Sequence, residues 1–298
     1  MFKKERFNGW LFLDKPLGIS SNKVLQHVRR VFKNQKAGYV GTLDPLASGL
    51  LPIALGNATK TISLVDKSTK GYLFTVVWGQ KTTTADLEGH VVNRCYIYPS
   101  EKLIRDKLKN FKGEIFQTPH RYSSKKIRGQ RAYKLARENV KFTLTKKKIS
   151  IIDFKLIKIL SNQSAEFYVK CSAGTYIRKL SEDLAESLNT YATVSSLRRV
   201  EFSNFNKKLI SLDYLMRLMH SEKLINVIEP VNSLFGDIKE INLRREQASL
   251  ILNGGFVKTD YDLAEENEPV FAKCADNVIA FGYLLNKIFY PKKILDTI

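Results

Sequence analysis

The sequence predicts an α+β fold, a mixed and largely antiparallel sheet flanked by helices, followed by a small β-rich module. Three observations carry this. Segments such as 71–78 alternate apolar and other residues with strand periodicity, whereas 24–32 and 176–188 repeat with helical periodicity. The two kinds are interspersed without strict strand–helix–strand alternation, which argues against a doubly wound parallel sheet. Beyond 230–239 the pattern changes to short strands around one helix, so two domains are expected, 1–236 and 237–298.

The elements follow in order. Trp10 to Leu13 predicts a short buried strand that stops at Lys15-Pro16. Ser20, Ser21 and Asn22 offer a helix cap, and Val24, Leu25, Val28, Val31 and Phe32 share one face of the helix that follows. Residues 50–55 form an apolar run suited to a buried strand. Tyr72, Phe74, Val76 and Trp78 line one side of the next strand. Ser100 caps a second helix that turns Leu103, Ile104, Leu108 and Phe111 inward. Residues 151–159 and 167–171 suit a strand pair. After Gly174, the residues Tyr176, Ile177, Leu180, Leu184 and Leu188 mark a third amphipathic helix. In the last module a helix over 245–252 ends at Asn253-Gly254-Gly255, and strands are expected around 270–273 and 278–285.

Composition narrows the function. The 298 residues are 44% hydrophobic, enough for a real core. Lys and Arg number 49 against 29 Asp and Glu, a formal charge of +20 that attracts phosphates or anionic membranes. The 13 Tyr and 17 Phe tilt the choice toward nucleic acid. The densest basic stretch, 121–148, interleaves Tyr122, Tyr133 and Phe142 with its cations, which suits backbone tracking plus base stacking. Cys95, Cys171 and Cys274 form no CxxC pair, and the histidines show no metal spacing, so no metal is expected. Gly38 and Gly41 are not followed by Gly-Lys-Ser/Thr, and no cofactor is expected either. The charged start Met1 to Arg6 leads into no signal-like run, and no apolar stretch is long enough to span a membrane. A cytoplasmic protein without a membrane partner is the expectation.

The stretch 38–52 is the most informative. Its one carboxylate, Asp44, stands in an otherwise uncharged run between glycines and prolines. An Asp-Pro turn explains the dipeptide by itself. Yet a desolvated carboxylate in so basic a chain would face a polyanion, which suggests chemistry on a nucleic acid.

Several segments carry a resemblance. Lys15-Pro16-x-Gly18-x-Ser20-Ser21, the run from Gly41-Thr42-Leu43-Asp44-Pro45 to Pro52, and Cys171-Ser172-x-Gly174-Thr175-Tyr176-Ile177-Arg178 resemble the bacterial tRNA pseudouridine-55 synthases, the TruB family. Gln117-x-Pro119-x-x-Tyr122-Ser123 and Leu197-Arg198-Arg199 match as well. The resemblance implies the pseudouridine synthase fold with a PUA-like RNA-binding module at the C-terminus. It implies isomerisation of a uridine in the T arm of tRNA, by a monomer without cofactor or metal. The N-glycosidic bond breaks, the base rotates, and C5 joins C1′. Asp44, Tyr72 and Arg178 are the implied catalytic residues. Tyr39, Tyr176, Leu197, Lys15 and Asp86 are the implied substrate-contacting or supporting residues. Attack on C1′, attack on C6 and removal of the C2′ proton all remain open for Asp44. On pattern alone, Tyr72 suits a core aromatic and Arg178 a surface residue of the third helix. Three positions depart from the family. Tyr39 stands where many members have His, and His120 and Ser124 replace a proline and an alanine. Another RNA target, or RNA binding without catalysis, are the alternative readings.

Overall fold

Two β-sheets organise the computed structural model, which describes residues 7–65, 69–123, 125–138, 140–205, 208–236, 238–261 and 268–295. Ser124 and the charged residues 1–6 lie outside the described residues. The first sheet has nine strands: β1 (Gly9–Lys15), β2 (Ala37–Tyr39), β3 (Ala47–Leu55), β4 (Lys70–Trp78), β5 (Gly113–Gln117), β6 (Lys147–Ser161), β7 (Ser164–Cys171), β8 (Ala192–Phe202) and β9 (Ile210–Ser211). Their spatial order is β9-β1-β3-β8-β4-β7-β6-β5, with β2 added to β3. Pairing is antiparallel except for β1 with β9 and β3 with β8. The expected mixed, largely antiparallel sheet is therefore present.

β8 holds the two halves of this sheet together. It pairs with β3 through Leu197↔Ala47 and Arg199↔Gly49, and with β4 through Arg199↔Tyr72. Two register shifts interrupt it, between Val194 and Ser196 and between Arg199 and Glu201. Such bulges re-aim side chains. On β4 the expected alternation holds: Phe74, Val76 and Trp78 are buried in the core row that Tyr72 continues.

Helices cover the apolar face. α1 (Ser21–Val31) starts as expected, with the Ser20 hydroxyl accepting from the Lys23 N–H. It buries Val24, Val28 and Val31, while Leu25 is only partly covered. α2 (Glu101–Leu108) is capped by Ser100. It buries Ile104 and Leu108, but Leu103, expected inward, is 42% exposed. α3 (Ile177–Ser187) buries Leu180 and Leu184, and Tyr176 is its cap residue rather than part of it.

The second sheet holds β10 (Lys239–Asn242), β11 (Val257–Lys258), β12 (Glu268–Cys274), β13 (Asn277–Leu285) and β14 (Ile288–Ile294), with α4 (Arg245–Leu252) packed on it. It is the β-rich module the sequence predicts, with β10, β11 and β14 added to the expected strands. Its apolar residues are not separate from the first sheet. Trp10 and Phe12 of β1 share one buried cluster with Phe271, Phe281 and Leu295. The Asn8 amide donates to the Leu295 carbonyl at 2.8 Å and the Lys60 ammonium to the Ile294 carbonyl at 2.7 Å, so this joint is hydrogen-bonded as well as apolar.

Candidate active site

The loop between β2 and β3 carries Asp44, and the segment after β1 holds that loop in place. The Ser21 hydroxyl donates to the Leu43 carbonyl (2.8 Å) and accepts from the Leu43 N–H (2.9 Å). Gly18 N–H donates to the Pro45 carbonyl at 2.9 Å. The Lys15 ammonium lies near three carbonyls, of Pro16 (2.9 Å), Ile19 (2.5 Å) and Pro45 (3.5 Å). The Lys-Pro-x-Gly-x-Ser-Ser segment is thus the bracket of the Asp44 loop. The loop closes its own turn through Ala47 N–H on the Asp44 carbonyl.

Arg178, in the first turn of α3, meets this loop at the wall of a cleft. Its Nη2 lies 2.8 Å from Asp44 Oδ2, and its Nη1 lies 3.0 Å from Asp86 Oδ2. It also donates to the carbonyls of Thr84 (2.9 Å) and Tyr122 (3.0 Å). Far from a surface group, Arg178 is 7% exposed. α3 begins where it does because Gln117 grips Tyr176 from both sides. The Tyr176 N–H donates to Gln117 Oε1 (2.8 Å), and Gln117 Nε2 donates to the Tyr176 carbonyl (3.2 Å).

The electrostatics are those of a carboxylate held between opposing forces. Burial pushes the Asp44 pKa up, Arg178 pulls it down, Asp86 adds to the rise and Lys15 opposes it; the net direction is upward. Lys15 is pushed down to about 8, chiefly by burial, with Asp44 and Glu88 resisting. Burial also raises the Tyr72 phenol, against the pull of Arg199. His120 is pushed down to about 3 by burial and by the cations Arg178, Lys179, Lys81 and Arg121. It is therefore neutral at ordinary pH, and its Nδ1 accepts from the Tyr122 N–H at 3.2 Å. That fixes the turn whose carbonyl Arg178 uses.

A cleft of about 800 Å³ opens over Asp44. The structure brings Asp44, Tyr72, Arg178, Tyr39, Tyr176 and Leu197 to its walls. Two expected substrate contacts are placed elsewhere. Lys15 is fully buried under the Asp44 loop, with its ammonium on carbonyls. Asp86 is buried behind Arg178, where it also accepts from the Thr84 hydroxyl and the Glu88 N–H. Both groups are too enclosed to meet a substrate, and they act on residues that line the cleft. Lys70, Lys147 and Arg199 also line it; Lys70 was not picked out from the sequence, and Arg199 entered only through the Leu197-Arg198-Arg199 match. Lys147 was legible only as one cation of the basic stretch. Its ammonium lies close to Gly174, where a Cβ would come within 2.5 Å of it.

In the 121–148 stretch two of the interleaved aromatics are taken by the chain itself. Arg121 lies over Phe142 (5.1 Å) and Arg137 over Tyr133 (5.9 Å). Among the described residues no cluster of His, Cys, Asp and Glu could hold a metal, and no helix is long and apolar enough to cross a membrane.

Comparison with known proteins places the chain in a family. Residues 29–177 match the model of the TruB family pseudouridylate synthase (N terminal domain), and residues 178–236 match that of the tRNA pseudouridylate synthase B C-terminal domain. The junction of the two matches falls inside the first sheet, and the second sheet lies beyond both. The tRNA pseudouridine synthase B of Caulobacter vibrioides is 38% identical over 253 residues, covering 85% of this chain and 82% of that one. That of Agrobacterium fabrum is 36% identical over 301 residues, covering 98% and 96%. Among solved structures, the archaeal box H/ACA sRNP Nop10-Cbf5 complex contains a chain similar in fold, with a TM-score of 0.70 at 21% identity, covering 97% of this chain and 86% of that one. An H/ACA RNP bound to a substrate RNA containing 2′-deoxyuridine contains another, with a TM-score of 0.73 at 19% identity, covering 100% and 92%.

Proposed function

The chain belongs to the TruB family of pseudouridylate synthases, and we propose that it converts the uridine at position 55 in the T arm of tRNA to pseudouridine. The observation that carries this reading is the Asp44–Arg178 pair at 2.8 Å on the wall of the cleft, within a chain of formal charge +20. The positive surface gathers the RNA, and the cleft receives one nucleotide turned out of its stack. Turning it out costs a few kcal/mol, offset by phosphate contacts and stacking. Tyr39, Tyr72 and Tyr176 offer the aromatic faces for that stacking, and Leu197 an apolar one.

Asp44 is the reactive carboxylate in this proposal. Its side chain is 42% exposed, so a ribose or base can reach it, while Arg178 fixes Oδ2. Arg178 opposes the upward push of burial on its pKa. The reaction takes no atoms from elsewhere, because the same uracil leaves C1′ through N1 and returns through C5. Tyr72 lines the same cleft as Asp44, which places a phenol beside the base during that exchange. The C-terminal sheet serves as the RNA-binding module, rigidly set by the cluster that Trp10 shares with Phe271. A monomer in the cytoplasm accounts for this activity.

The test is incubation with an unmodified tRNA transcript, followed by mapping of pseudouridine at nucleotide resolution. Conversion at position 55 alone is expected. Conversion at another site would reassign the target. Tight binding without release of tritium from C5-labelled uridine would make the protein a binder and not a catalyst.

A further inference from the structure

The second sheet uses its two faces differently. Val257, Leu284 and Phe289 turn to one side, into the core that they build with Ala248 and Ile251 of α4. Phe271 and Phe281 turn to the other, where they share a cluster with Trp10 and Phe12 of β1. Strand alternation puts Tyr283 on the side of Phe281, and sets Phe256 and Tyr290 opposite their buried neighbours Val257 and Phe289. This second face therefore meets the first sheet along one part and continues past the joint as a row of rings.

The row is ordered. Tyr283 and Tyr290 are direct cross-strand partners on β13 and β14, with ring centroids 5.4 Å apart and planes 17° from parallel. Phe256, just before β11, continues the row at 5.5 Å and 30° from Tyr290. Lys292 closes the Tyr283 end, its ammonium 5.2 Å from the ring centre. A register shift between Phe281 and Gly282 falls opposite Lys292, and a bulge of this kind re-aims a side chain. The Phe256 end is open, since that residue is 61% exposed. Lys258 flanks it on the same side of the sheet, because Val257 between them points into the core. Lys258 and Lys292 are exposed, and neither is in an ion pair among the described residues.

A cross-strand aromatic pair stabilises a sheet, and that accounts for Tyr283 and Tyr290. It does not account for Phe256, which lies outside the strand, adds a third ring and leaves most of its surface in water. A flat apolar face flanked by cations matches one chemistry: a nucleobase on the ring and phosphates on the ammonium groups. We propose that Phe256 is a stacking site for an unpaired RNA base, which extends the Tyr283–Tyr290–Phe256 row, while Lys258 and Lys292 hold phosphates of the same strand. The site lies on the second sheet, apart from the cleft that holds Asp44. It rests on the reading above that this chain acts on RNA, but not on the chemistry at Asp44. A duplex keeps its base faces stacked on one another, so the site selects unpaired nucleotides.

The test uses the full chain and a short single-stranded RNA carrying 2-aminopurine, whose fluorescence is quenched by stacking. Binding is measured with a T-arm hairpin in saturating excess, so that the cleft is occupied. The parent quenches the probe. Phe256→Ala weakens binding about five- to a hundredfold, the worth of one base–aromatic stack, and loses the quenching. Phe256→Trp retains both. Lys258→Glu and Lys292→Glu weaken binding and lower its salt dependence. A blunt RNA duplex of the same length competes poorly. A thermal melt accompanies each variant, and if Phe256→Ala melts lower, Lys258→Glu and Phe256→Trp carry the test. Parent affinity in Phe256→Ala, equal competition by the duplex, or complete displacement of the strand by the hairpin overturns the proposal. A concentration-dependent dimer that Phe256→Ala dissolves also overturns it, and makes the row an interface between copies of this chain. Conversion of the hairpin uridine is followed in the same samples. A parent that binds the strand through Phe256 but converts no uridine overturns the proposed enzymatic function and leaves this site standing.

Discussion

Replacing Arg178 by methionine removes one guanidinium from four partners: Asp44, Asp86, and the carbonyls of Thr84 and Tyr122. The two carboxylates respond differently. The Asp86 side chain is 1% exposed and the Asp44 side chain 42%. Stranding a buried carboxylate costs about 3–5 kcal/mol, so Asp86 dominates the stability loss. The Asp44 arm is screened by water and contributes much less to stability. Its effect is on rate. Without Arg178 the Asp44 carboxyl loses both its orientation and the cation that opposes burial. Its pKa rises further, and the acid limb of the rate profile moves to higher pH. Loss of one charge-assisted hydrogen bond at the reacting group slows the step by about ten- to a hundredfold.

The assay is single turnover with enzyme in excess over unmodified tRNA, across pH, beside a thermal melt and a binding curve. A second variant separates the two arms. Arg178→Met with Asp86→Asn no longer strands a buried charge, so the melting temperature recovers while the rate does not. If the rate returns together with the melting temperature, Arg178 acts only on folding and its role as the partner of Asp44 is refuted.

Asp44→Asn is expected to abolish turnover while tRNA affinity stays within several-fold, since shape is kept and charge is lost; turnover near the parent rate would sink the assignment. Lys15 has its pKa pushed down from 10.5 to about 8. The unfolded chain therefore holds this proton more tightly, and the resulting penalty is fully present below about pH 8 and is gone above the unfolded pKa. Stability measured against pH should thus climb more steeply in this window for the parent than for Lys15→Met; equal slopes would refute the shift. The formal charge of +20 predicts binding that weakens steeply with salt, by a log–log slope of roughly −0.7 to −0.9 per phosphate contacted. Lys147 is the member of the 146–148 trio that lines the cleft, whereas Lys148 is paired with Glu114 at 2.7 Å. Lys147→Glu should accordingly flatten the slope more than Lys148→Glu; the reverse order would refute this placement. Tyr39 lines the cleft and also packs partly against the core. Tyr39→Phe should be nearly silent and Tyr39→Ala should cost about 1–3 kcal/mol of base stacking. A lowered melting temperature with normal affinity and normal single-turnover rate would make Tyr39 structural.

Most of the scaffold was legible because its signals are local. The Ser20 and Ser100 caps, the alternation along β4 and the apolar face of α3 each lie within one element. β8 was not legible, although it joins both halves of the sheet. Its bulges break the alternation after Val194 and after Arg199, and Ser195-Ser196 and Arg198-Arg199 dilute its apolar signal. The same bulges account for Arg199: a residue pair that looks solvated in sequence has one member on Asp14 and the other buried over Phe202. Leu103 was misplaced for a related reason, because helical periodicity gives a face but not how much of it the sheet covers. Lys15 and Asp86 show the limit of motif reading. The family resemblance marks them as part of the site, but not that they sit behind its wall.

In the proposed reaction, that arrangement is what lets a carboxylate work beside RNA. A lone acid in the cleft would repel the phosphates that the basic surface attracts. Here the charges alternate in space: Lys15 beneath the loop, Asp44 on it, Arg178 against Asp44 and Asp86 behind Arg178. Two cations and two anions cancel at a distance, so an approaching backbone meets no net charge from the four. At contact distance Asp44 is the one of the four with a substantially exposed head, and it remains an acid with its neighbours' charges already spent. The balance depends on Lys15 keeping its proton, and its pKa of about 8 sets where that fails. Above that pH the group of four becomes net negative and the local repulsion returns. tRNA affinity should therefore fall off at alkaline pH more steeply in the parent than in Lys15→Arg, if that variant folds and keeps its charge; identical alkaline profiles would show that the four charges do not act together.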